Sequence, residues 1–170
     1  MNKKVLILTG PGGAGKTTIA DLLVEKRGFI KIDGDDLDTE FFPRGGQWLP
    51  ENLEKLKQAQ KKIFEAVKEV YHNGERDVVL DYIIFGNYSE FFEMFKKEFG
   101  DNLDIKVLFP AKDEMVKRDK ERGCWTTGVG RITSVRAEFS ALKRVIGKDN
   151  YIDTTDQTAE TTLDKYFKHY

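Results

Sequence analysis

The chain opens on an uninterrupted apolar run, Val5-Leu6-Ile7-Leu8, cut off by Gly10-Pro11. Apolar positions with no polar alternates read as a strand covered on both faces, as in parallel sheets. From Thr17 to Arg27 the period changes: Ile19, Ala20, Leu22 and Leu23 recur at helical spacing, and Gly28 is placed to cap the C-terminus. Phe29 to Ile32 predicts a second short strand. Asp33 to Pro50 is polar, glycine-bearing and aperiodic, and reads as a functional loop with a short helix around Leu37 to Phe41. Leu53, Leu56, Ile63, Val67 and Val70 then fall on one stripe of a helix from about Asn52 to His72, closed by Asn73-Gly74.

The second half repeats the alternation. Val78 to Leu80 predicts a third buried strand, and Ser89 an N-cap for a helix carrying Phe91, Phe92, Met94, Phe95 and Phe99. Asp104 to Phe109 predicts a strand ended by Pro110, followed by a helix from Lys112 to Arg122 and a loop from Gly123 to Gly130. Thr133 or Ser134 can cap a helix reaching Ile146, Tyr151-Ile152 is a last strand, and Thr158 to Tyr166 a last helix. Five strands alternating with helices predict an α/β domain: a parallel sheet covered on both faces, with ligands beyond the carboxyl ends of its strands.

Composition narrows the function classes. With 170 residues the chain is one domain's worth, able to bury roughly 68–70% of its unfolded surface. It is 39% hydrophobic and 34% charged with net charge −1, which gives no electrostatic reason to expect nucleic acid or a membrane as partner. The single cysteine, Cys124, has no internal disulfide partner, and the N-terminal apolar run is too short for a signal peptide, so a cytoplasmic location is expected. A monomer and a homodimer are both compatible with this composition. The expected organisation is one domain over residues 1–170, with a lid at about 119–133 and an acceptor-binding region at about 35–60.

The segment after the first strand carries the chemistry. Gly10, Gly15, Lys16 and Thr17 match GxxxxGKT in the strand-to-helix context that the motif requires. Its glycines let successive backbone N–H groups point inward at phosphate oxygens, and the following helix adds the positive end of its dipole. Gly10, Pro11, Gly12, Gly13, Ala14, Gly15, Lys16, Thr17 and Thr18 are therefore the candidate nucleotide-binding set. Lys16 supplies a full charge to the outer phosphates and the Thr17 hydroxyl is placed to ligate Mg²⁺. A purine nucleoside triphosphate with Mg²⁺ is the ligand expected, against the bland reading of a glycine-rich turn before a helix.

Phosphoryl transfer needs a held metal, an aligned acceptor oxygen and neutralised charge. Asp33-Gly34-Asp35-Asp36 follows the second strand, where a carboxylate can hold a metal-bound water or take a proton from an attacking hydroxyl; the bland reading is a capping cluster. Asp33 and Asp35 are favoured for function and Asp36 for a cap, with the base left open among the three. Asp81 ends the third strand, where a carboxylate typically engages Mg²⁺ through water. Arg118 and Arg122 share a helix face and Arg131 follows the glycine-bounded loop, so arginines on a flap can close over the triphosphate; a solvated charge run is the alternative. Arg44 and Trp48, in FFPRGGQW, are candidate acceptor contacts.

These residues resemble the small P-loop kinases related to adenylate, shikimate and gluconate kinases and chloramphenicol phosphotransferase, over essentially the whole chain. IDGDDL, Ile32 to Leu37, is similar to the Asp-x-Asp segment of shikimate and gluconate kinases, which implies Asp33 near Mg²⁺ and Asp35 near the acceptor hydroxyl. RDKER, Arg118 to Arg122, resembles the lid Arg-x-x-x-Arg of adenylate kinase, implying Arg118 on the base and Arg122 on phosphate. YIDTTDQT, Tyr151 to Thr158, is similar to the adenine-contacting loop, with Thr155 and Asp156 the nearest positions. The resemblance implies a three-layer α/β/α P-loop NTPase fold with a five-stranded parallel sheet and a small lid. It also implies a kinase moving the γ-phosphoryl of ATP, with Mg²⁺, to a small-molecule acceptor. Acceptor-side departures leave the acceptor unnamed: no histidine-proline follows IDGDDL, and Asp81 is followed by Tyr82-Ile83-Ile84-Phe85 rather than a glycine-rich turn. The competing classes are a nucleotide-dependent switch, which as a GTPase lacks an Asn-Lys-x-Asp segment, and a polynucleotide 5′-hydroxyl kinase, which the balanced charge opposes.

Overall fold

A computed structural model describes residues 3–121, 123 and 127–170 of the chain. The strands are β1 (Val5–Thr9), β2 (Ile30–Asp33), β3 (Val78–Asp81), β4 (Leu103–Leu108) and β5 (Tyr151–Ile152). They form one sheet in the order β2-β3-β1-β4-β5, with every neighbouring pair parallel. Parallel strands need crossovers, and these are the helices α1 (Lys16–Arg27), α2 (Gly34–Thr39), α3 (Leu53–Asn73), α4 (Tyr88–Phe99), α5 (Lys112–Glu121), α6 (Val129–Ala141) and α7 (Lys143–Ile146). Helix α8 (Ala159–Tyr166) follows the last strand.

The pleat divides the apolar runs between two cores. Val5 and Ile7 of β1 face one side with Val78, Leu80, Ile105 and Val107, covered by α3, α4 and α6. Leu6, Leu8, Val79 and Leu108 face the other, against Ile19, Ala20 and Leu23 of α1, Leu163 of α8 and Met115. The first core is dominated by aromatic rings: the Phe95 centroid lies 4.9 Å from that of Phe91 and 5.2 Å from that of Phe64. These tilted and edge-on pairs spaced along α3 and α4 fix how the two helices meet.

Register decides which carboxylates meet. Leu8 of β1 pairs with Asp81 of β3, and Asp81 with Asp33 of β2, so both strand-terminal aspartates stand side by side at the carboxyl end of the sheet, level with Leu8. At that end β1 runs out at Thr9 and the glycine loop begins.

Three boundaries differ from the sequence expectation. The short helix after β2 starts at once at Gly34, because the Asp33 side chain caps it by accepting the Asp36 N–H at 3.0 Å; Asp36 itself is exposed. Asn87, in the left-handed region at φ 45°, precedes α4 in place of Ser89. Helix α6 begins at Val129 after Gly128, with no side-chain cap, so Thr133 and Ser134 lie inside it and the loop before it is shorter than expected. The Asp119 carboxylate accepts the N–H groups of Thr127 and Gly128 at 2.9 and 3.0 Å, which supplies from α5 the anchor that no local cap provides.

Truncating the ring that joins α3 to α4 tests this packing. Phe95→Ala is expected to lower unfolding free energy by about 3–5 kcal/mol, with the denaturant slope unchanged, in urea titrations.

Candidate functional site

The glycine loop between β1 and α1 is sterically required to be glycine at its entry. A Cβ on Gly10 would lie 2.3 Å from the Leu108 carbonyl oxygen of β4, and Gly10 has φ +143°. Gly13, at φ +76°, would place one 2.5 Å from the Met115 carbonyl oxygen. The loop is thus pressed against β4 and α5 on its outside and left open inside, which is the shape of an anion cradle. The Lys16 side chain turns back across it: buried, its Nζ donates to the Pro11 carbonyl at 3.2 Å.

A hollow of about 300 Å³ opens over this loop, lined by Gly13, Gly15, Lys16, Thr17, Thr18, Arg118 and Glu121. It adjoins a second of about 280 Å³ that shares Gly15, Thr18, Arg118 and Glu121 and extends to Leu108, Thr154, Gln157 and Thr162. The two together have the form of a phosphate cradle continued into a base pocket. Arg118 stands where they join, its Nε on Glu114 at 2.8 Å and its Nη2 on the Thr154 carbonyl at 2.9 Å. The residues presented by the loop after β5 are Thr154 and Gln157. Thr155 and Asp156 do not line the second hollow: the Thr155 hydroxyl accepts the Ala111 N–H at 2.7 Å and donates to Asp153 at 2.5 Å. Arg122, expected to reach phosphate, and Cys124 lie outside the described residues.

Beside the cradle, carboxylates gather at the strand ends. Asp81 is buried; its Oδ2 accepts the Thr17 hydroxyl at 2.7 Å, while its Oδ1 has no hydrogen-bond partner. A buried carboxylate oxygen left without a donor beside a threonine hydroxyl is a fit for Mg²⁺, which keeps most of its waters and takes one or two protein carboxylates together with nucleotide phosphates. Burial raises the Asp81 carboxyl above its ordinary range, opposed by the charge of Lys16. Asp35, in the first turn of α2, accepts the Ile83 N–H at 3.2 Å, and burial lifts its carboxyl to about 7 against the pull of Lys16. Lys16, Thr17, Asp33, Asp35 and Asp81 are therefore brought together by three separate connections of the fold.

Around the 42–49 segment the structure holds a residue that the sequence reading passed over. Asp38 is 1% exposed and accepts from Gln47 Nε2 at 3.2 Å and from the Tyr82 hydroxyl at 3.3 Å, tying α2 to the 42–49 segment and to the end of β3. Its signal was present in the three-residue spacing from Asp35, which puts both on one face of a helix. Asp119 was likewise hidden in the run KRDKERG, where it reads as one more solvated charge. Arg44 is exposed. Trp48 is 46% exposed on one side and on the other carries the Arg131 guanidinium, whose Cζ is 3.8 Å from the ring centroid. Arg131 thus meets the 42–49 segment, and it is not among the residues lining the phosphate hollow.

The sequence profile of the AAA domain family matches residues 9–132, from the end of β1 into α6. The chain belongs to the AAA domain family. A 56-residue stretch is 41% identical to a probable gluconokinase of Schizosaccharomyces pombe, covering 33% of this chain and 24% of that protein. Among solved structures, a sugar kinase from Janibacter sp. HTCC2649 superposes with a TM-score of 0.69 at 15% identity, over 98% of this chain and 93% of that one. The Deinococcus radiodurans tunicamycin resistance protein superposes with a TM-score of 0.71, also at 15% identity, over 98% and 95%. The fold is that of the small P-loop kinases, an α/β domain built on a five-stranded parallel sheet. No helix among the described residues is long and apolar enough to cross a membrane.

Asp38 provides a test of this site that is independent of any ligand. Burial raises its carboxyl from 3.8 to about 6 in the folded chain, so the native state holds the proton more tightly than the unfolded one. The stability it contributes is full below about pH 4 and is lost as pH rises through about 6. Relative to wild type, Asp38→Asn is therefore expected to gain about 2–3 kcal/mol between pH 4 and pH 8, read from urea unfolding at both values. A difference independent of pH would contradict the assignment.

Proposed function

We propose that the protein is an ATP-dependent phosphotransferase that moves the γ-phosphoryl group of Mg-ATP to a hydroxyl or phosphate of a small molecule. The observation that carries this reading is the convergence of Lys16, the Thr17–Asp81 pair and Asp35 beside a glycine cradle closed on its outer side by β4 and α5. Kinase names among the similar proteins, a probable gluconokinase and a sugar kinase, support a hydroxylated acceptor.

In this reading the base of the nucleotide enters between α1 and the loop after β5, against Thr154 and Gln157, with Arg118 at the junction of base and phosphates. The N–H groups of the glycine loop and Lys16 hold the phosphates and neutralise charge as the bond to the leaving oxygen loosens. Thr17 and the open oxygen of Asp81 would hold Mg²⁺, with Asp33 alongside. Mg²⁺, when bound, would supply positive charge to offset that of the nucleotide phosphates. Asp35 faces the acceptor hydroxyl and accepts its proton as the oxygen attacks, held in aim by the Ile83 N–H. Segment 42–49, fastened through Gln47 and Asp38, forms the wall of the acceptor pocket, and the α5–α6 region closed by Asp119 forms the lid. The reading extends to one domain over residues 1–170 and to a chain acting away from membranes.

ADP release from Mg-ATP across sugars, sugar acids, nucleosides and nucleoside monophosphates tests the assignment. One class is expected to stimulate release strongly; nucleotide binding without stimulation by any acceptor would favour a nucleotide-dependent switch. With an active acceptor, Lys16→Ala is expected to lower kcat by about 10²–10³-fold or more while the far-UV circular dichroism spectrum of the folded chain is retained. Asp35→Asn is expected to lower kcat by about 10²–10⁴-fold while nucleotide affinity stays within about threefold. An unaltered rate for Asp35→Asn would remove its role alone, whereas wild-type activity of Lys16→Ala would remove the whole reading.

A further inference from the structure

Arg131 lies in the first turn of α6, but its side chain leaves the lid and lies against the acceptor wall. Its Cζ is 3.8 Å from the Trp48 ring centroid and 5.2 Å from that of Phe85, and the two rings are themselves 5.8 Å apart. Two segments distant in sequence, the 42–49 loop and the loop after β3, thus supply aromatic surface to one guanidinium.

The hydrogen-bonding side of that guanidinium is incomplete. Nη2 is buried and has no hydrogen-bond partner among the described residues. The carboxylate that acts on Arg131 electrostatically is Glu138, further along α6, and it is engaged elsewhere: it accepts the Tyr88 hydroxyl at 3.0 Å and forms no ion pair with Arg131. Burial pulls the guanidinium below its ordinary value, with Glu138 and Tyr88 opposing. A buried charged donor without an acceptor is destabilising, and such groups are completed by a bound water, an ion or a ligand. Aromatic faces can hold a guanidinium in place while leaving its planar fork open, and that fork matches the two oxygens of a carboxylate or phosphate. Lys16 and Arg118 line the phosphate hollow, whereas Arg131 lies against Trp48 and Phe85, on the side of the 42–49 segment.

We propose that Arg131, seated on Trp48 and Phe85, is the anion-recognition group of the acceptor pocket, so that the acceptor carries a carboxylate or phosphate group apart from the oxygen that is phosphorylated. This rests on the kinase reading for the word acceptor; the anion site itself rests on the Arg131 geometry.

The test uses the full chain with a non-hydrolysable Mg-ATP analogue and calorimetric titration of matched pairs: gluconate against glucose for a carboxylate, a nucleoside monophosphate against its nucleoside for a phosphate. One acid is expected to bind at least about tenfold more tightly than its neutral partner. Arg131→Gln should bring that pair within about twofold while leaving the neutral partner's affinity unchanged, Arg131→Lys should keep part of the preference, and Trp48→Ala should lose most of it. Thermal unfolding of each variant separates these effects from loss of fold. Equal binding of acids and neutral partners, absence of binding by every acid, or an equal loss for both members in Arg131→Gln would overturn the proposal. An acid that binds through Arg131 yet never receives a phosphoryl group removes the kinase reading and leaves the anion site. Transfer to a neutral alcohol without acid preference removes the anion site and leaves the kinase.

Discussion

The hydrogen bond from the Thr17 hydroxyl to Asp81 is the point on which the rest of the site depends, because it joins the first turn of α1 to the last residue of β3. It exists only because β1 and β3 are paired in the register that sets Leu8 beside Asp81, with the glycine loop carrying the chain from β1 over the sheet edge to Thr17. A shift of one residue would turn Asp81 to the other face of the sheet and leave the hydroxyl without its acceptor. Parallel pairing also explains why Asp33 stands beside Asp81: β2 has the same direction and its terminal residue is Asp81's register partner.

Crowding carboxylates this way has an electrostatic cost, and the structure offsets it with one lysine. Lys16 lowers both Asp35 and Asp81 against the burial that raises them. The same ammonium is the group expected to meet the outer phosphates, so nucleotide binding would change the charge balance felt by every carboxylate at the strand ends. Asp38 receives no such help. It is compensated by Gln47 and Tyr82 instead, which makes it a fastening between α2, the 42–49 segment and the end of β3 rather than part of the charged centre.

The same division holds between α5 and α6. Asp119 accepts two backbone N–H groups at the start of α6, and those bonds place Arg131 on the helix turn from which it reaches Trp48. Arg118 on α5 and Arg131 on α6 thus reach different partners, Thr154 and Glu114 for the one, Trp48 and Phe85 for the other.

What the sequence determined by itself was whatever depends on neighbours along the chain. The apolar run of Val5 to Leu8, the glycine loop with Lys16 and Thr17, and the stripe of Leu56, Ile63 and Val67 are local patterns, and strand, loop and helix follow from them because backbone conformation and amphipathic period act over a few residues. They were enough for a five-stranded parallel α/β domain with a nucleotide cradle. Tertiary structure alone decided where side chains far apart in sequence meet: Asp33 rather than Asp36 as the cap of α2, Thr154 and Gln157 rather than Thr155 and Asp156 at the hollow beside α1, Asp38 against Tyr82, and Arg131 on Trp48. Each of these turns on a side-chain rotation of one position or on packing between segments tens of residues apart, and neither leaves a periodic trace in the sequence.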